Sequence, residues 1–167
     1  MRKIIIGVMG PGSDASDSDR VNAYELGKLI AQEGWVLLTG GRNAGVMDAA
    51  SAGAKAANGL TVGILPTADD SNISEAVDIA IVTGMGSARN NLNVLSSDVV
   101  IACGMGAGTA SEVALAIKAN KPVVLFTNHQ EAQCFFTNLS ATTVFIAKTP
   151  LAVIEIVKNL LTAHKNL

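Results

Sequence analysis

The chain has 167 residues, a length typical of one domain, and it is apolar: 49% of the residues are hydrophobic and 16% are charged. The net charge of −2, without any run of basic residues, argues against a nucleic-acid partner. No apolar stretch reaches the roughly 18 residues that a membrane span needs. Two cysteines, Cys103 and Cys134, are too few for a disulfide framework and lack metal-ligand spacing. We therefore expect a cytoplasmic protein with reduced thiols, no membrane partner and no metal held by its own side chains.

Apolar runs alternate with helical patterns along the whole chain. Strands are predicted at Ile4–Val8, Trp35–Leu38, Leu60–Leu65, Ile79–Val82, Val99–Ala102, Val123–Phe126 and, at an edge, Val144–Ala147. Helices are predicted from Arg20 to Gly34, over Val46–Ala57, Arg89–Ser96, Thr109–Ala119 and Glu131–Asn138, and from Pro150 onward. This alternation predicts one α/β domain over residues 1–167. We expect a Rossmann-like, doubly wound and mainly parallel sheet of about seven strands, with helices on both faces.

A first glycine loop, Gly10-Pro11-Gly12-Ser13-Asp14-Ala15, formally matches the dinucleotide fingerprint G-x-G-x-x-A. That fingerprint also needs an acidic residue near the end of the second strand to hold a ribose, but the second strand ends in Thr39-Gly40-Gly41. Three aspartates between positions 14 and 19 would repel a pyrophosphate. We therefore expect no NAD site and interpret the acidic half as a turn that caps a helix. The backbone of Gly10, Gly12 and Ser13 stays available to another ligand.

A second glycine loop, Thr39–Gly45, follows the second strand and has few bulky side chains apart from Arg42. Glycine permits close approach of the backbone to a ligand. Three glycines in seven residues exceed what a strand-to-helix turn needs. We predict that Gly40, Gly41 and Gly45 line a ligand site, with a plain turn as the alternative.

Arg89 follows the fourth strand and a Gly-Met-Gly turn, and it is the only charged residue between Asp78 and Asp98. A cation is unfavourable at a helix N-terminus, so its presence there calls for a specific reason. Arginine offers a bidentate fork for phosphate or carboxylate. We predict that Arg89 binds an anion, with a surface arginine at a helix start as the alternative.

A third element of this kind begins where the fifth strand runs into a glycine loop and a helix. Free N–H groups at a helix N-terminus attract anions, so this stretch predicts a phosphate site. The predicted contacts are Gly104, Gly106, Gly108 and Thr109. The glycine loops all follow strands, so they meet at the carboxyl edge of the parallel sheet, where ligands bind. Cys103, at the strand end, is either a packed small residue or a thiol activated by the helix N-terminus.

Glu112 allows two interpretations. Thr109-Ala110-Ser111-Glu112 spells a capping box, in which Glu112 accepts a hydrogen bond from the backbone N–H of Thr109. The alternative is a functional carboxylate beside a phosphate site, which hydrogen-bonds a hydroxyl or acts as a base or nucleophile. The sequence leaves both open.

The order of these motifs resembles the superfamily once described as lysine decarboxylase-like (SLOG), which includes the LOG phosphoribohydrolases and the molybdenum cofactor carrier proteins. The resemblance covers about Ile4 to Phe126. Its motifs are Gly40-Gly41-Arg42-Asn43-Ala44-Gly45-Val46-Met47, Thr83-Gly84-Met85-Gly86-Ser87-Ala88-Arg89-Asn90 and Gly108-Thr109-Ala110-Ser111-Glu112. The form Thr-Gly-Met-Gly-x-Ala-Arg-Asn looks most similar to the carrier branch.

Departures from the LOG pattern favour a carrier over an enzyme. Gly104 and Met105 stand where LOG enzymes have Pro and Gly, and Asn90 stands where they have lysine. The resemblance implies a binding protein for the molybdenum cofactor, a phosphorylated pterin, in storage or delivery. In that role Arg89 would neutralise charge and Glu112 would fix a ring N–H or hydroxyl. The resemblance further implies a homo-oligomer, a dimer or tetramer, and a molybdenum enzyme is a candidate acceptor.

Two alternatives stay open. The first is a LOG-type hydrolase that releases the base from a nucleoside 5′-monophosphate such as AMP, with Arg89 and Glu112 as its catalytic residues. The second is a module that senses nucleotides without turnover. In all three cases the partner is a small phosphorylated ligand, and the sequence leaves turnover undecided.

Overall fold

The computed structural model describes residues 2–165, so residues 1 and 166–167 of the predicted domain lie outside the described residues. The strands are β1 Ile5–Met9, β2 Val36–Thr39, β3 Thr61–Leu65, β4 Ile79–Val82, β5 Val99–Cys103, β6 Val123–Phe126 and β7 Val144–Ile146. The α-helices are α1 Asp17–Gln32, α2 Gly45–Ala56, α3 Asn90–Ser96, α4 Ala107–Lys118, α5 Gln130–Leu139 and α6 Pro150–Lys165. A 3-10 turn, Gly86–Arg89, leads into α3. These bounds confirm the predicted order of elements.

All seven strands pair in parallel, in the order β4-β3-β2-β1-β5-β6-β7. From β1 the chain adds β2, β3 and β4 on one side of the sheet. It then returns to the other side of β1 with β5 and adds β6 and β7 beyond it. The switch point therefore lies between β1 and β5, and the connections after these two strands diverge there. Parallel sheets of this kind open a crevice at that point, beyond the carboxyl ends of the strands. The predicted doubly wound, Rossmann-like fold is confirmed.

Both faces of the sheet are covered, which explains the apolar composition. Along β5, Val99 and Ile101 contact the layer formed by α1, α2 and α6, while Val100 and Ala102 contact the layer formed by α3, α4 and α5. Side chains alternate between the two faces of a strand, so a strand covered on both sides is apolar throughout. The core thus consists of two apolar layers, one on each side of the sheet.

The helices α1 and α2 pack against each other at very short range. A Cβ atom on Gly27 of α1 would lie 1.9 Å from the backbone oxygen of Ala50 in α2. A Cβ atom on Gly53 of α2 would lie 1.9 Å from the backbone oxygen of Tyr24. The alanine-rich α2, predicted to pack close to the sheet, thus also needs its small residues to approach α1.

Two helix starts differ from the prediction. Helix α1 begins at Asp17 rather than Arg20, because Ser16 and Asp19 form a reciprocal capping box. Helix α4 begins at Ala107 rather than Thr109, with Gly106 as its N-cap. In both cases polar or small residues, which carry no apolar periodicity, form the first turn. Within the described part of the chain, no helix combines the length and the apolar character that crossing a membrane requires.

Candidate functional site

A cleft of about 370 Å³ opens at the switch point of the sheet. The loop after β1, the end of β2, the 3-10 turn and the first turns of α4 form its walls. Its lining residues are Met9, Gly10, Pro11, Gly12, Asp14, Gly40, Arg42, Met47, Pro66, Gly86, Ser87, Arg89, Asn90, Met105, Gly106, Ala107, Gly108, Thr109 and Glu112. Three loops that are far apart in the sequence therefore meet at the edge where parallel sheets bind ligands.

The structure brings most of the predicted site residues to this cleft. The predicted residues that line it are Gly10, Gly12, Gly40, Arg89, Gly106, Gly108, Thr109 and Glu112. Four others, Ser13, Gly41, Gly45 and Gly104, do not line it. Gly45 has φ +53°, and a Cβ atom there would lie 2.0 Å from the backbone oxygen of Gly12. Its absent side chain therefore lets the second glycine loop pack against the first.

The first turn of α4 presents unpaired backbone donors to the cleft. The first intrahelical bond runs from the N–H of Ala110 to the oxygen of Gly106, at 2.8 Å. The N–H groups of Ala107, Gly108 and Thr109 precede it and have no helical partner. A helix end with free N–H groups attracts an anion, and the helix dipole adds to this attraction. The backbone at the start of α4 can therefore donate hydrogen bonds to an anion.

The capping-box interpretation of Glu112 is wrong. Because α4 begins at Ala107, Thr109 is the third residue of the helix and not its N-cap. The side chain of Glu112 instead accepts a 2.9 Å hydrogen bond from Nδ2 of Asn93 in α3. The hydroxyl of Thr109 is buried and has no hydrogen-bond partner among the described residues. Neither the side chain of Thr109 nor that of Glu112 therefore caps α4.

Arg89 lies in the floor of the cleft, with a side chain only 9% exposed. Its Nη1 donates to Oδ1 of Asn90 at 3.2 Å, and its buried Nε has no partner within the described chain. A Cβ atom on Gly40 would lie 2.7 Å from Nη2 of Arg89, so the glycine at the end of β2 makes room for the guanidinium. The alternative of a surface arginine is excluded by this burial.

The charge of Arg89 is only partly balanced. Nη1 of Arg89 lies 3.8 Å from Oε1 of Glu112. Burial lowers the pKa of Arg89, the carboxyl of Glu112 opposes this, and the nearby cation of Arg42 lowers it further. Burial raises the pKa of Glu112 to about 7, against the opposing effects of Asn93 and Arg89. Near neutral pH the carboxyl is therefore partly protonated, while the guanidinium keeps its charge.

Sequence reasoning missed several residues of the site. Asn93 is one of three asparagines in α3, and its signal was the spacing of four residues from Arg89, which places both on one face of the predicted helix Arg89–Ser96. Three of the methionines, Met9, Met47 and Met105, line the cleft. Their side chains gave no sign of this in the sequence, because buried methionine is ordinary core material.

The two cysteines lie outside the cleft. Cys103 is buried among the side chains that face α1, and burial together with the carboxylate of Asp19 raises the pKa of its thiol to about 12. The proposed activation of this thiol by the helix N-terminus is therefore wrong. Cys134 is exposed. Among the residues that the structure describes, no group of three or more His, Cys, Asp or Glu side chains is arranged to hold a metal ion.

The parallel sheet with its cleft at the switch point defines a Rossmann-like α/β protein. Within that class, a model of the SLOG cluster4 family matches residues 3–154, and the chain belongs to this family. The predicted resemblance to the superfamily is confirmed.

Solved structures of relatives are close in both sequence and fold. The molybdenum cofactor binding protein from the phototrophic bacterium Rippkaea orientalis is 63% identical, with a TM-score of 0.95 over 96% of this chain and 99% of that one. The molybdenum cofactor carrier protein from Chlamydomonas reinhardtii is 59% identical, with a TM-score of 0.91 over 96% and 99% of the two chains. A protein of Archaeoglobus fulgidus without an assigned function is 46% identical over 123 residues, which are 74% of this chain and 80% of its own length. The predicted likeness to the carrier branch is thereby confirmed.

Proposed function

We propose that this protein binds the molybdenum cofactor in the cleft at the switch point and stores or delivers it. The observation that carries the proposal is a set of polar groups that meet there without partners in the described chain: the N–H groups at the start of α4, Nε of Arg89 and Oγ1 of Thr109. Nε of Arg89 and Oγ1 of Thr109 are buried, and buried polar groups are normally hydrogen-bonded, so these two atoms indicate a ligand. The N–H groups of Ala107 and Gly108 are exposed and open to the same ligand. Relatives of 63% and 59% identity are described as proteins that bind or carry this cofactor.

The donors in the cleft fit a phosphorylated pterin. Gly106, Gly108 and Thr109 belong to the start of α4, and Gly10 and Gly12 belong to the neighbouring loop after β1, which lines the cleft without bulky side chains at these positions. We assign the phosphate of the ligand to this end of the cleft. Gly45 supports the first glycine loop from behind, because a Cβ atom there would lie 2.0 Å from the backbone oxygen of Gly12.

Arg89 and Glu112 recognise the remainder of the ligand. Arg89 supplies a cation that the carboxyl of Glu112 balances only in part, as befits an anionic ligand. Glu112, held by Asn93, accepts a hydrogen bond from a ring N–H when it is ionised and donates one when it is protonated. The cofactor itself supplies a metal centre on a dithiolene for later use in an enzyme. Binding and release need no covalent step from this chain.

One observation favours a second function, hydrolysis of a nucleoside 5′-monophosphate. The carboxyl of Glu112 and the guanidinium of Arg89 lie within 3.8 Å in a buried site, and a carboxyl with a pKa of about 7 is suited to acid–base catalysis. Incubation with AMP, followed by chromatography, tests this. Release of adenine that Glu112→Gln abolishes would establish the enzyme, and its absence would exclude it.

The carrier function is tested by loading the protein with molybdenum cofactor and measuring molybdenum and pterin per chain after gel filtration. We expect both in equal amounts. Ala107→Pro removes one backbone donor at the first position of α4, where proline is well tolerated and the extended Gly106 suits a following proline. Ala107→Val adds similar bulk but keeps the N–H. Loss of ligand with Pro and retention with Val would support the phosphate assignment. An unloaded wild-type protein would refute the function.

We further propose that the protein is a cytoplasmic homo-oligomer that passes its ligand to a molybdenum enzyme. The edge strand β4 supports an oligomer, because Ile79, Ile81 and Val82 are exposed there. Exposed apolar edges favour association with another chain. Light scattering coupled to gel filtration measures the oligomer, and Ile81→Lys on this edge is expected to weaken it.

A further inference from the structure

Asn90 joins the guanidinium of Arg89 to the first turn of α4 through a directed chain of hydrogen bonds. Its Oδ1 accepts a 3.2 Å hydrogen bond from Nη1 of Arg89, and its Nδ2 donates a 2.9 Å hydrogen bond to Oγ of Ser111. The hydroxyl of Ser111 in turn donates to the backbone oxygen of Gly108 at 2.7 Å. A serine hydroxyl has a single proton, so Ser111 can only accept from Asn90. The amide therefore presents its oxygen, and not its nitrogen, to Arg89.

A second asparagine of α3 holds the other member of the buried charge pair. Asn93 donates to Oε1 of Glu112, while Asn90 accepts from Nη1 of Arg89. The two asparagines are three residues apart in α3, so they lie on one face of the helix. Between them, Nη1 of Arg89 and Oε1 of Glu112 stay 3.8 Å apart. A charge-assisted hydrogen bond is about 2.7 to 2.9 Å long, so the two charges face each other without a direct bond.

This separation leaves one edge of the Arg89 guanidinium free. The group is planar, and Nε and Nη2 share the edge that Asn90 does not occupy. Nε is buried without a partner in the described chain, and Nη2 lies against Gly40 at the end of β2. If Nη1 closed onto Glu112, the carboxylate would neutralise the cation and compete with any anion for it. The hydrogen bond from Arg89 to Asn90 thus opposes an ion pair that would weaken the site.

We propose that Asn90, oriented by Ser111, is a positioning residue that holds Nη1 of Arg89 away from Glu112 and so keeps the guanidinium available to an anionic ligand. The inference rests on the proposed function only for the identity of that ligand, because the hydrogen bonds join residues of the chain itself. Ser111 is exposed and is not among the residues that line the cleft. It therefore acts on the site from outside, through the amide that it orients.

The titration of Glu112, followed by carbon-13 NMR of its carboxyl group, tests the positioning role without any ligand. In Asn90→Ala the guanidinium should close onto Glu112, and the proton affinity of that carboxyl should fall about tenfold, because a cation in contact favours the ionised form. Asn91→Ala, the same substitution at an exposed asparagine in the same turn of α3, should leave the titration unchanged. An unchanged or increased proton affinity in Asn90→Ala would overturn the proposal, since a loss of packing alone does not draw the cation toward the carboxyl.

Ser111 provides a second test, which holds even if Asn90→Ala fails to fold. Ser111→Ala removes the hydroxyl that fixes the amide of Asn90, so the amide can turn and release Arg89. The proton affinity of Glu112 should then fall about threefold. Ser111→Thr keeps the hydroxyl and should restore the wild-type titration. Identical titrations in wild type and Ser111→Ala would overturn the orienting role of Ser111.

Binding of molybdenum cofactor separates this proposal from the proposed function. We expect Asn90→Ala to bind the cofactor about tenfold more weakly than the wild type, and Asn91→Ala to bind it as the wild type does. Thermal melts verify that each variant is folded. Equally tight binding by Asn90→Ala would overturn the positioning role and leave the carrier function standing. A wild-type protein that binds no cofactor, together with the expected fall in the proton affinity of Glu112 in Asn90→Ala, would support the positioning role and refute the carrier function.

Discussion

Asn93 donates a 2.9 Å hydrogen bond from Nδ2 to Oε1 of Glu112, and this bond joins α3 to α4 beneath the cleft. Both side chains are buried. The bond fixes the carboxyl on the side facing Arg89 and not toward the backbone of its own helix. Glu112 therefore faces the cleft, and burial sets its titration.

Replacing Glu112 by glutamine should change how stability depends on pH. The pKa of Glu112 is raised in the fold from 4.5 to about 7, so its contribution to stability is complete below pH 4.5 and is lost as the pH rises through 7. The shift corresponds to roughly 3 kcal/mol. Glutamine mimics the protonated form at every pH. We expect the stability of Glu112→Gln relative to wild type to rise by up to roughly 3 kcal/mol between pH 4 and pH 8.

Urea denaturation of both proteins across that range measures this difference directly. Glu25→Gln, at a side chain 41% exposed, controls for the loss of a carboxylate as such. If Glu112→Gln and wild type keep a constant difference from pH 4 to pH 8, then Glu112 is not desolvated as the structure shows.

Replacing Gly40 by alanine should weaken ligand binding without unfolding the protein. The added methyl would lie 2.7 Å from Nη2 of Arg89 and 2.7 Å from the sulfur of Met47. Both atoms belong to flexible side chains and can move, so the stability cost should stay near the lower end of the usual range, at about 1 kcal/mol. Displacement of the guanidinium should reduce the affinity for molybdenum cofactor about tenfold.

A double-mutant cycle with Arg89→Ala isolates that effect. In the Arg89→Ala background, Gly40→Ala should cost little further affinity, because the displaced group is gone. Additive losses would mean that the methyl obstructs the ligand directly. Circular dichroism spectra of each variant verify that the fold is retained.

Replacing Gly27 by alanine should destabilise the protein, although alanine is the better helix former. The methyl would lie 1.9 Å from the backbone oxygen of Ala50, and neither helix can yield cheaply. We expect a loss of about 2 kcal/mol in the free energy of unfolding. Gly108→Ala, where the methyl meets open space, provides the comparison and should be neutral or slightly stabilising. A stabilised Gly27→Ala would contradict the close packing of α1 on α2.

The two thiols should react at very different rates. Cys134 is exposed, whereas Cys103 is buried and has a pKa of about 12. At pH 8 an aromatic disulfide reagent should label one thiol per folded chain quickly and the second only upon unfolding, since the thiolate is the reactive form. Cys134→Ser should abolish the fast phase. Rapid labelling of folded Cys134→Ser would show that Cys103 is accessible.

The positions of the seven strands, their parallel arrangement and the family could all be predicted from the sequence. β-branched runs such as Val99–Ala102 and the periodicity of the helices are local patterns, so neighbouring residues encode them. The sequence also predicted that the acidic segment before α1 caps the helix, although not which residues do so. Ser16 and Asp19, which form the cap, are close in sequence. The glycine motifs indicated the edge of the sheet at which the site lies, since a loop after a parallel strand must emerge there.

Only the tertiary structure decided what the residues at that edge do. Whether Glu112 caps a helix or faces a ligand depends on Asn93 and Arg89, which come from another element and reach it only through the packing of α3 on α4. Gly40 contacts Arg89, whereas Gly45 supports a neighbouring loop, and no local pattern distinguishes them. The physical reason is that periodicity depends on adjacent residues. The burial and pKa of a side chain, and whether a donor has a hydrogen-bond partner, depend instead on distances between segments. These distances are set only once the sheet has assembled.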